Sequence, residues 1–206
     1  MIGIIDYGMG NTGSILNMLK KIGAEAIITN EKQILEQADK IILPGVGTFD
    51  QGMYHLQNLN LIDFLRNQAI HKQIPFLGIC LGMQLLGRKS EEGNLPVVGL
   101  QLIPFDNVRF NFASDSNLKI PHMGWDAVDF TQQNPLLTGL EGKQRYYFVH
   151  SYHAVCDNQD NVLMTCEYGY KFAAAVRKDN IYGVQFHPEK SHKFGLKLLE
   201  NFVRKI

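Results

Sequence analysis

The feature that most constrains this chain is a cysteine between two glycines, Gly78-Ile-Cys80-Leu-Gly82. An apolar run from Phe76 to Ile79 precedes the cysteine, and good helix formers follow it. This pattern predicts a buried strand that ends at Cys80 and a helix that begins directly after it, with the glycines permitting the sharp turn. The motif is the G-x-S-x-G nucleophile elbow with cysteine in place of serine. It places the sulfur at a helix N-terminus, where backbone N–H groups favour a thiolate and can donate to an oxyanion.

The alternative for Cys80 is an inert thiol at the end of a strand, since free cysteines are usually buried and unreactive. The two other cysteines, Cys156 and Cys166, make an odd count without paired spacing. That count argues for free thiols in a reducing compartment rather than for a disulfide framework. A catalytic role for Cys80 therefore requires a general base elsewhere in the chain.

The segment His187-Pro188-Glu189 supplies a candidate base at the end of the last predicted strand, Ile181–Phe186. In an extended segment, residues i and i+2 point the same way, so the carboxylate can hydrogen-bond one imidazole nitrogen and direct the other at a thiol. The alternative is a solvated histidine and glutamate on a loop. The chain contains seven histidines, so one of them can lie near a glutamate by chance. The elbow cysteine, the strand-end histidine and the adjacent carboxylate together predict a Cys80–His187–Glu189 triad.

Short apolar runs alternate with helical segments through the first half of the chain. The predicted strands are Ile2–Ile5, Ala26–Thr29, Lys40–Leu43 and the elbow strand, and the predicted helices are Ser14–Ile22, Glu31–Ala38, Met53–Leu59, Leu61–Ile70 and the elbow helix. This alternation predicts an α/β fold with an open, mostly parallel sheet and helices on both faces. Ligands bind outside the carboxyl ends of strands in such sheets, where Cys80 and Pro44-Gly-Val-Gly47 both lie.

The second half changes character after a polar loop over Arg88–Pro96. Its short apolar segments predict strands at Trp125–Phe130, Tyr146–Tyr152, Val162–Thr165, Ala173–Arg177 and Ile181–Phe186. We expect these to add antiparallel hairpins to the parallel core, with a turn at Asp179-Asn180, before an amphipathic helix over Phe194–Lys205. Residues 1–206 contain no internal repeat or linker and are expected to form a single domain.

Charge and hydropathy exclude several classes of protein. Twenty basic and twenty acidic side chains give a net charge of zero, so nothing predicts nucleic acid or an anionic membrane as a partner. The N-terminus lacks a basic signal-peptide region, and no apolar run approaches the roughly 18 residues of a membrane span, so we expect a cytoplasmic protein. Gly8-Met-Gly10 lacks the third glycine of a dinucleotide fingerprint and predicts a tight turn instead.

In combination these motifs resemble those of the class I glutamine amidotransferases. Gly78–Gln84 and His187–Glu189 match the triad of that family, and Pro44–Gly47 matches the oxyanion strand of one branch. Ile120–Trp125 and Tyr147–Tyr152 narrow the resemblance to the glutaminase subunits of imidazole glycerol phosphate synthases. The resemblance extends from the first strand to the last helix.

The resemblance implies a mechanism for glutamine hydrolysis. Cys80 attacks the side-chain amide of glutamine, His187 takes the thiol proton and returns it to the leaving ammonia, and Glu189 orients His187. A thioester forms and water hydrolyses it to glutamate. The N–H of Leu81 and an N–H of the Val46–Gly47 segment would form the oxyanion hole.

The resemblance also implies a substrate site and a partner, but no cofactor and no metal. The positions that match glutamine-binding residues are Gly47, Gln84, Ser151 and Tyr152. In this family the ammonia passes to a (β/α)₈-barrel cyclase subunit of a heterodimer, which makes imidazole glycerol phosphate and an aminoimidazole carboxamide ribotide in histidine biosynthesis. The positions that match residues near that interface and its ammonia gate are Asn11, His122 and Trp125.

Family members are typically poor glutaminases without the loaded partner, and Pro44-Gly-Val-Gly47 offers a physical cause. Two glycines make a peptide flip cheap. An oxyanion-hole N–H can therefore point away from the site until the complex is loaded.

One departure from the family is Asp126, because Trp-Asn is common where this chain has Trp125-Asp126. Ionised aspartate only accepts hydrogen bonds, whereas asparagine also donates, so Asp126 alters the edge that would dock the partner. The chain is therefore also compatible with a paralogue that supplies ammonia for amidating bacterial surface sugars. An inactive fold used as a regulatory subunit would not need the complete triad. A cysteine hydrolase of the same broad fold would not need Gln84 or Pro44–Gly47. The residues present therefore argue against both of these functions.

Overall fold

A mixed β-sheet runs through the computed structural model, which describes residues 1–93 and 96–206. Among these residues the sheet has eleven strands. They are β1 (Ile2–Ile5), β2 (Ala26–Thr29), β3 (Lys40–Leu43), β4 (Phe76–Ile79), β5 (Phe105–Arg109), β6 (His122–Phe130), β7 (Gln144–His150), β8 (Tyr152–Cys156), β9 (Val162–Tyr168), β10 (Tyr170–Lys178) and β11 (Ile181–Val184). Asn94 and Leu95, part of the predicted loop Arg88–Pro96, lie outside the described residues.

The sheet has a parallel part and an antiparallel part. The parallel strands lie in the order β2-β1-β3-β4-β11. The order then continues through β10, β9, β6 and β7, whose pairings are antiparallel. The β5–β8 pair joins at β10. The predicted addition of antiparallel strands to a parallel core is confirmed.

Helices cover both faces of the parallel strands, as predicted. They are α1 (Thr12–Lys21), α2 (Lys32–Leu35), α3 (Phe49–Asn58), α4 (Ile62–Arg66), α5 (Leu81–Leu85) and α6 (His192–Lys205), and a π turn over Asn67–His71 extends α4. One hydrophobic cluster contains residues of α1 and α6, and the other contains residues of α2 to α5. Alternate side chains of β3 enter the two clusters, Ile42 the first and Ile41 and Leu43 the second. Burial on both faces explains why these strands are continuous apolar runs.

Some helices differ from their predicted bounds, and the reason at α3 is a tertiary contact. This helix begins at Phe49, four residues before the predicted Met53, because Glu92 from the loop after α5 accepts a hydrogen bond from the Phe49 N–H at 2.9 Å. A carboxylate at a helix N-terminus satisfies an orphan donor and favours the helix dipole. Helix α2 ends at Leu35 rather than at Ala38.

The predicted strand Tyr146–Tyr152 is two strands, β7 and β8, which are separated at Ser151. They diverge because β7 pairs with β6, whereas β8 pairs with β5 and β10. The break turns Ser151 and Tyr152 toward the carboxyl ends of the parallel strands. No helix among residues 1–93 and 96–206 is long and apolar enough to span a membrane.

Candidate active site

Three neighbouring strand ends build the site. Strand β4 lies between β3 and β11, and all three are parallel. Their carboxyl ends therefore meet at one edge of the sheet, where Pro44–Gly47 follows β3, Cys80 follows β4 and His187 lies just beyond β11. Residues more than a hundred positions apart in the sequence thus face the same space.

The elbow holds Cys80 in a strained backbone conformation, with φ 55° and ψ −112°. The strained dihedral belongs to the cysteine, whereas the sequence predicted that the glycines would provide the turn. The glycines serve close packing instead: a Cβ on Gly82 would lie 1.8 Å from the Leu43 carbonyl oxygen, and one on Gly78 would lie 2.6 Å from the Gly82 carbonyl oxygen. This geometry presses α5 against β3 and places the sulfur above the strand ends.

His187 and Glu189 form a buried pair beside the elbow. His187 Nδ1 lies 2.7 Å from Glu189 Oε1, and both side chains are almost inaccessible to solvent. The backbone on either side is anchored, because the His187 N–H donates to the Tyr147 carbonyl at 2.9 Å and Ser191 Oγ donates to the His187 carbonyl at 2.6 Å. The i, i+2 geometry expected from the sequence is present.

The electrostatics of His187 follow from its two polar neighbours. Burial alone would lower the pKa of the imidazole, but the thiol of Cys80 and the carboxylate of Glu189 together raise the pKa to about 10. His187 Nε2 has no hydrogen-bond partner within bonding distance among the described residues. The thiol of Cys80 nevertheless lies near enough to raise the pKa of the ring. A raised imidazole pKa favours an imidazolium beside a thiolate.

A cavity of about 190 Å³ lies at these strand ends. Cys80, Leu81 and His187 line it together with the other sequence-predicted residues Val46, Gly47, Gln84, Ser151 and Tyr152. Three further lining residues were not predicted: Glu92, Val149 and His150. At about 30 Å³ per water molecule the cavity has room for roughly six waters, the size of a small metabolite.

Two buried glutamines connect the cavity wall to the sulfur. Gln84 Nε2 donates to the Tyr152 carbonyl and to Gln185 Oε1, each at 3.2 Å. Gln185 Nε2 in turn lies 3.9 Å from Cys80 Sγ. Gln185 was not predicted as a site residue, because its complete burial beside the sulfur is visible only in the structure.

The segment after β3 is tied at its start to the loop that follows β1, and its end is exposed. The Tyr7 hydroxyl donates to the Pro44 carbonyl at 2.7 Å. Gly47 has φ +115°, which L side chains rarely adopt, and it is exposed together with Val46. One end of the segment is therefore fixed while its last peptides border the cavity.

A family model described as glutamine amidotransferase class-I matches residues 3–206. The chain belongs to the class-I glutamine amidotransferases. A crystal structure titled glutamine amidotransferase superposes on this amidotransferase with a TM-score of 0.74 at 19% identity and 98% coverage of each chain. That likeness agrees with the α/β fold expected from the sequence.

Curated relatives are much more similar in sequence to this amidotransferase. A Methanococcus maripaludis protein named imidazole glycerol phosphate synthase subunit HisH 2 is 55% identical over 99% of each chain. A Pseudomonas aeruginosa protein of the same name is 51% identical over 98% of each chain. A Campylobacter jejuni protein named imidazole glycerol phosphate synthase subunit HisH 1 is 45% identical over 99% of this chain and 100% of its own.

Glu92 is the acidic residue of the amidotransferase cavity that the sequence did not single out. Burial raises the pKa of Glu92, and the charge of Asp50 adds to this effect. The hydrogen bond that Glu92 accepts from the Phe49 N–H opposes it. Nothing in the polar loop distinguishes Glu92 from its neighbour Glu91, because only the fold of the loop over α3 brings Glu92 to the cavity.

The three residues predicted near a partner interface lie in different surroundings. Asn11 is exposed in front of α1. Trp125 is partly buried and stacks on His192, with ring centroids 5.3 Å apart and planes 8° from parallel. His122, however, is only 1% exposed and cannot contact a partner directly. It hydrogen-bonds Asp126, whose side chain is 43% exposed on the same strand.

Two further features of this amidotransferase resemble binding sites. His122, Asp126 and Cys166 have potential metal-ligand atoms within 4.8 Å of one another. The His122–Asp126 contact of 2.7 Å is nevertheless a hydrogen bond, because two ligands of a tetrahedral zinc ion lie about 3.3 Å apart. A larger groove of about 730 Å³, next to Phe130 and Pro135, has no titratable residue among the described residues that line it.

Proposed function

We propose that this chain is the glutaminase subunit of an imidazole glycerol phosphate synthase, a single amidotransferase domain over residues 1–206 that acts in the cytoplasm. It hydrolyses glutamine to glutamate and ammonia, and the ammonia passes to a (β/α)₈-barrel cyclase subunit. The observation that carries the proposal is that Cys80 and His187 line one small cavity, with Glu189 hydrogen-bonded to the far side of the His187 ring. The 55% identity to a relative of that name supports the assignment.

The proposed chemistry begins with the thiolate of Cys80. Its sulfur bonds to the side-chain amide carbon of glutamine, and the carbonyl oxygen becomes an oxyanion. The C–N bond then breaks as His187 gives its proton to the leaving nitrogen, which departs as ammonia. Water attacks the thioester while His187 takes a proton from it, and glutamate leaves with the thiol restored. Glu189 keeps Nδ1 of His187 protonated and Nε2 directed at the sulfur.

The oxyanion hole is assigned to backbone N–H groups on both sides of the sulfur. Leu81 opens α5 directly after the nucleophile, and the Val46–Gly47 segment borders the same cavity from β3. Donors fixed before the reaction stabilise the charge that develops on the carbonyl oxygen without reorganising. Flexibility at Gly47 lets this donor turn into position when a partner is loaded.

Recognition of glutamine is assigned to the cavity residues other than those of the oxyanion hole. Both amide hydrogens of Gln84 are taken by the Tyr152 carbonyl and Gln185, so Gln84 Oε1 remains as an acceptor for the substrate. Ser151, at the break between β7 and β8, and Tyr152, the first residue of β8, line the same cavity. Glu92 is the acidic group on the cavity wall and is assigned to the α-ammonium of glutamine.

A second candidate function differs only in the partner. The same glutaminase would then feed ammonia to an enzyme that amidates bacterial surface sugars. Asp126 favours this candidate because it replaces the asparagine common in the family at the docking edge. The Methanococcus maripaludis and Pseudomonas aeruginosa relatives carry the number 2 in their names, as expected where an organism has more than one such subunit.

The deciding experiment is glutamate release by the purified chain, measured alone, with a candidate cyclase and with the cyclase plus its nucleotide ligand. Stimulation of roughly 10- to 100-fold by the loaded cyclase is expected. A folded chain that reacts at Cys80 with a glutamine-analogue electrophile but is not stimulated by the cyclase would favour the sugar-amidating partner. A chain that neither reacts nor releases glutamate would contradict both candidates.

Gly47→Val tests whether the oxyanion-hole N–H of the Val46–Gly47 segment must turn into position. We expect partner-stimulated turnover to fall about tenfold or more, because a β-branched residue is strained at φ +115° and its Cβ would lie 2.6 Å from Met9 Cε. The control is Gly23→Val, which also places a β-branched residue at a positive φ, +74°, with nothing within 4 Å of its Cβ. Urea denaturation of both variants separates a loss of unfolding free energy from a loss of turnover. Equal stimulated rates for Gly47→Val and wild type would contradict the prediction.

A further inference from the structure

A chain of buried polar contacts joins the partner edge to the glutamine cavity. His122 Nε2 lies 2.7 Å from Asp126 Oδ2, and His122 Nδ1 lies 3.1 Å from His150 Nε2. His150 Nδ1 lies 2.8 Å from the Tyr152 carbonyl oxygen, which also accepts from Gln84 Nε2. Every nitrogen of the two rings therefore has a polar partner, and the chain of contacts ends on a cavity residue.

This arrangement needs one more proton than two neutral rings carry. The three contacts require three hydrogens, and two neutral imidazoles supply two. The Tyr152 carbonyl and an ionised Asp126 can only accept, so both end contacts consume ring N–H groups. The contact between His122 and His150 then needs the third hydrogen. One imidazolium beside the Asp126 carboxylate satisfies the geometry, as does a protonated Asp126 with two neutral rings.

Loss of that proton would place two lone pairs against each other at 3.1 Å, on His122 Nδ1 and His150 Nε2. The Asp126 carboxylate keeps the hydrogen of His122 on Nε2, because a lone pair there would face an anion at 2.7 Å. His150 therefore relieves the repulsion by moving its own hydrogen to Nε2, which leaves its Nδ1 lone pair facing only a neutral carbonyl. The Tyr152 carbonyl then loses the hydrogen bond from His150 and keeps only the one from Gln84. Because that carbonyl orients Gln84, the state of the cluster reaches the wall of the glutamine cavity.

The surroundings make the Asp126 carboxylate the natural counterion. Aromatic rings enclose both imidazoles, with Tyr168 and Phe148 stacked on His122 and Phe110 and Phe172 against His150. Burial above all, together with the charges of His122, His153 and His187, lowers the pKa of His150 to about 3. Burial also lowers the pKa of His122, but Asp126 opposes that effect. Cys166 is a further titratable neighbour, and burial together with nearby carboxylates raises the pKa of its thiol to about 12.

We infer that Asp126 and His122 are positioning residues for the glutamine cavity, holding a proton that keeps His150 donating to the Tyr152 carbonyl. The inference rests on the proposed function, because it requires glutamine in the cavity. The protonated cluster binds glutamine more tightly, so affinity falls as the pH rises through the titration of the cluster. Asparagine at position 126 removes this dependence, since its amide donates to His122 Nε2 and completes the chain of contacts with two neutral rings.

The proton is tested without substrate by ¹⁵N NMR of histidine-labelled full chain. In the wild type the ring nitrogens of His122 and His150 should titrate together, as expected for a coupled pair. Asp126→Asn should keep both rings neutral over the same pH range. Asp129→Asn is the matched control, because it removes an exposed carboxylate from the same strand that lies outside the chain of contacts.

The positioning role is tested by calorimetry of glutamine binding in a Cys80→Ala background, which cannot turn over. The pKa of both rings lies below the ordinary histidine value, so the cluster loses its proton between about pH 4.5 and about pH 7. Over that range the dissociation constant of Cys80→Ala, divided by that of Cys80→Ala/Asp126→Asn, should rise roughly threefold or more, and the ratio cancels the titration of Glu92. The same rise should be found with Cys80→Ala/Asp129→Asn in place of Cys80→Ala. A merely structural role for Asp126 would shift affinity equally at every pH.

The results that overturn the inference are distinct from those that overturn the proposed function. Independent titration of the two rings in the wild type, or a pH dependence unchanged by Asp126→Asn, overturns the inference alone. Abolition of the titration by one equivalent of Zn²⁺, restored in Cys166→Ala, would make the cluster a metal site and also overturn it. No glutamine binding at any pH contradicts the proposed function and the positioning role with it.

Discussion

Cys80→Ala is expected to reduce partner-stimulated glutamate release by at least about four orders of magnitude. The proposed reaction has no path without the sulfur, because His187 and Glu189 do not themselves bond to the amide carbon. The fold should persist, because Cys80→Ala removes only one sulfur atom and leaves the backbone of the elbow unchanged. Initial rates of glutamate release, together with the circular dichroism of the variant, check the expectation.

The other two cysteines provide the control. Cys156 and Cys166 are buried, and burial together with nearby carboxylates raises the pKa of each thiol to about 12, so both are inert. Cys156→Ala and Cys166→Ala should keep most of the stimulated rate. A glutamine-analogue electrophile should label Cys80 alone, as read by mass spectrometry. Substantial turnover by Cys80→Ala, or labelling of Cys156 or Cys166 instead of Cys80, would contradict the assigned nucleophile.

Gly82→Ala is expected to lower the free energy of unfolding by about 3 kcal/mol or more. Its Cβ would lie 1.8 Å from the Leu43 carbonyl oxygen, which is backbone and cannot swing away. Helix α5 must then shift off β3, which displaces the elbow as well. For a chain of this length the loss corresponds to a fall of roughly 10 °C in Tm. Thermal and urea denaturation measure both quantities.

Gly13→Ala is the matched control for that variant. Gly13 lies in α1, and a Cβ there would meet nothing within 4 Å. Alanine favours a helix over glycine, so the free energy of unfolding should stay the same or rise by up to about 1 kcal/mol. Similar stabilities for Gly82→Ala and Gly13→Ala would show that the close approach of α5 to β3 is not required.

Local pattern was sufficient for the parallel core. Strands β1, β2 and β3 have the bounds expected from their apolar runs. Their signal is strong because each is a short run of apolar or small residues, with only Thr29 and Lys40 polar, in a sheet covered on both faces. The pattern failed where a distant residue decided a boundary, as at α3, whose start depends on Glu92. It failed again at Ser151, where a change of pairing partner divides one apolar run into β7 and β8.

The candidate site also has residues that local sequence predicts and residues that only the packing of distant elements brings together. The elbow around Cys80 and the His187–Glu189 pair are local features, so residue types and short spacings were enough to predict them. Their catalytic roles stay predictions. Glu92, Gln185 and His150 could not be assigned from spacing, because each reaches the cavity or the sulfur only through the packing of separate elements.

By itself the sequence determined the strands of the core and the elbow, and it was enough to predict Cys80, His187 and Glu189 as nucleophile, base and orienting carboxylate. Those features depend on neighbours within a few residues, which share one strand, turn or helix. The tertiary structure alone decided that β4 lies between β3 and β11, so that three segments meet at one edge. It alone placed His122 between Asp126 and His150, because strand order and side-chain packing depend on contacts that no local pattern encodes.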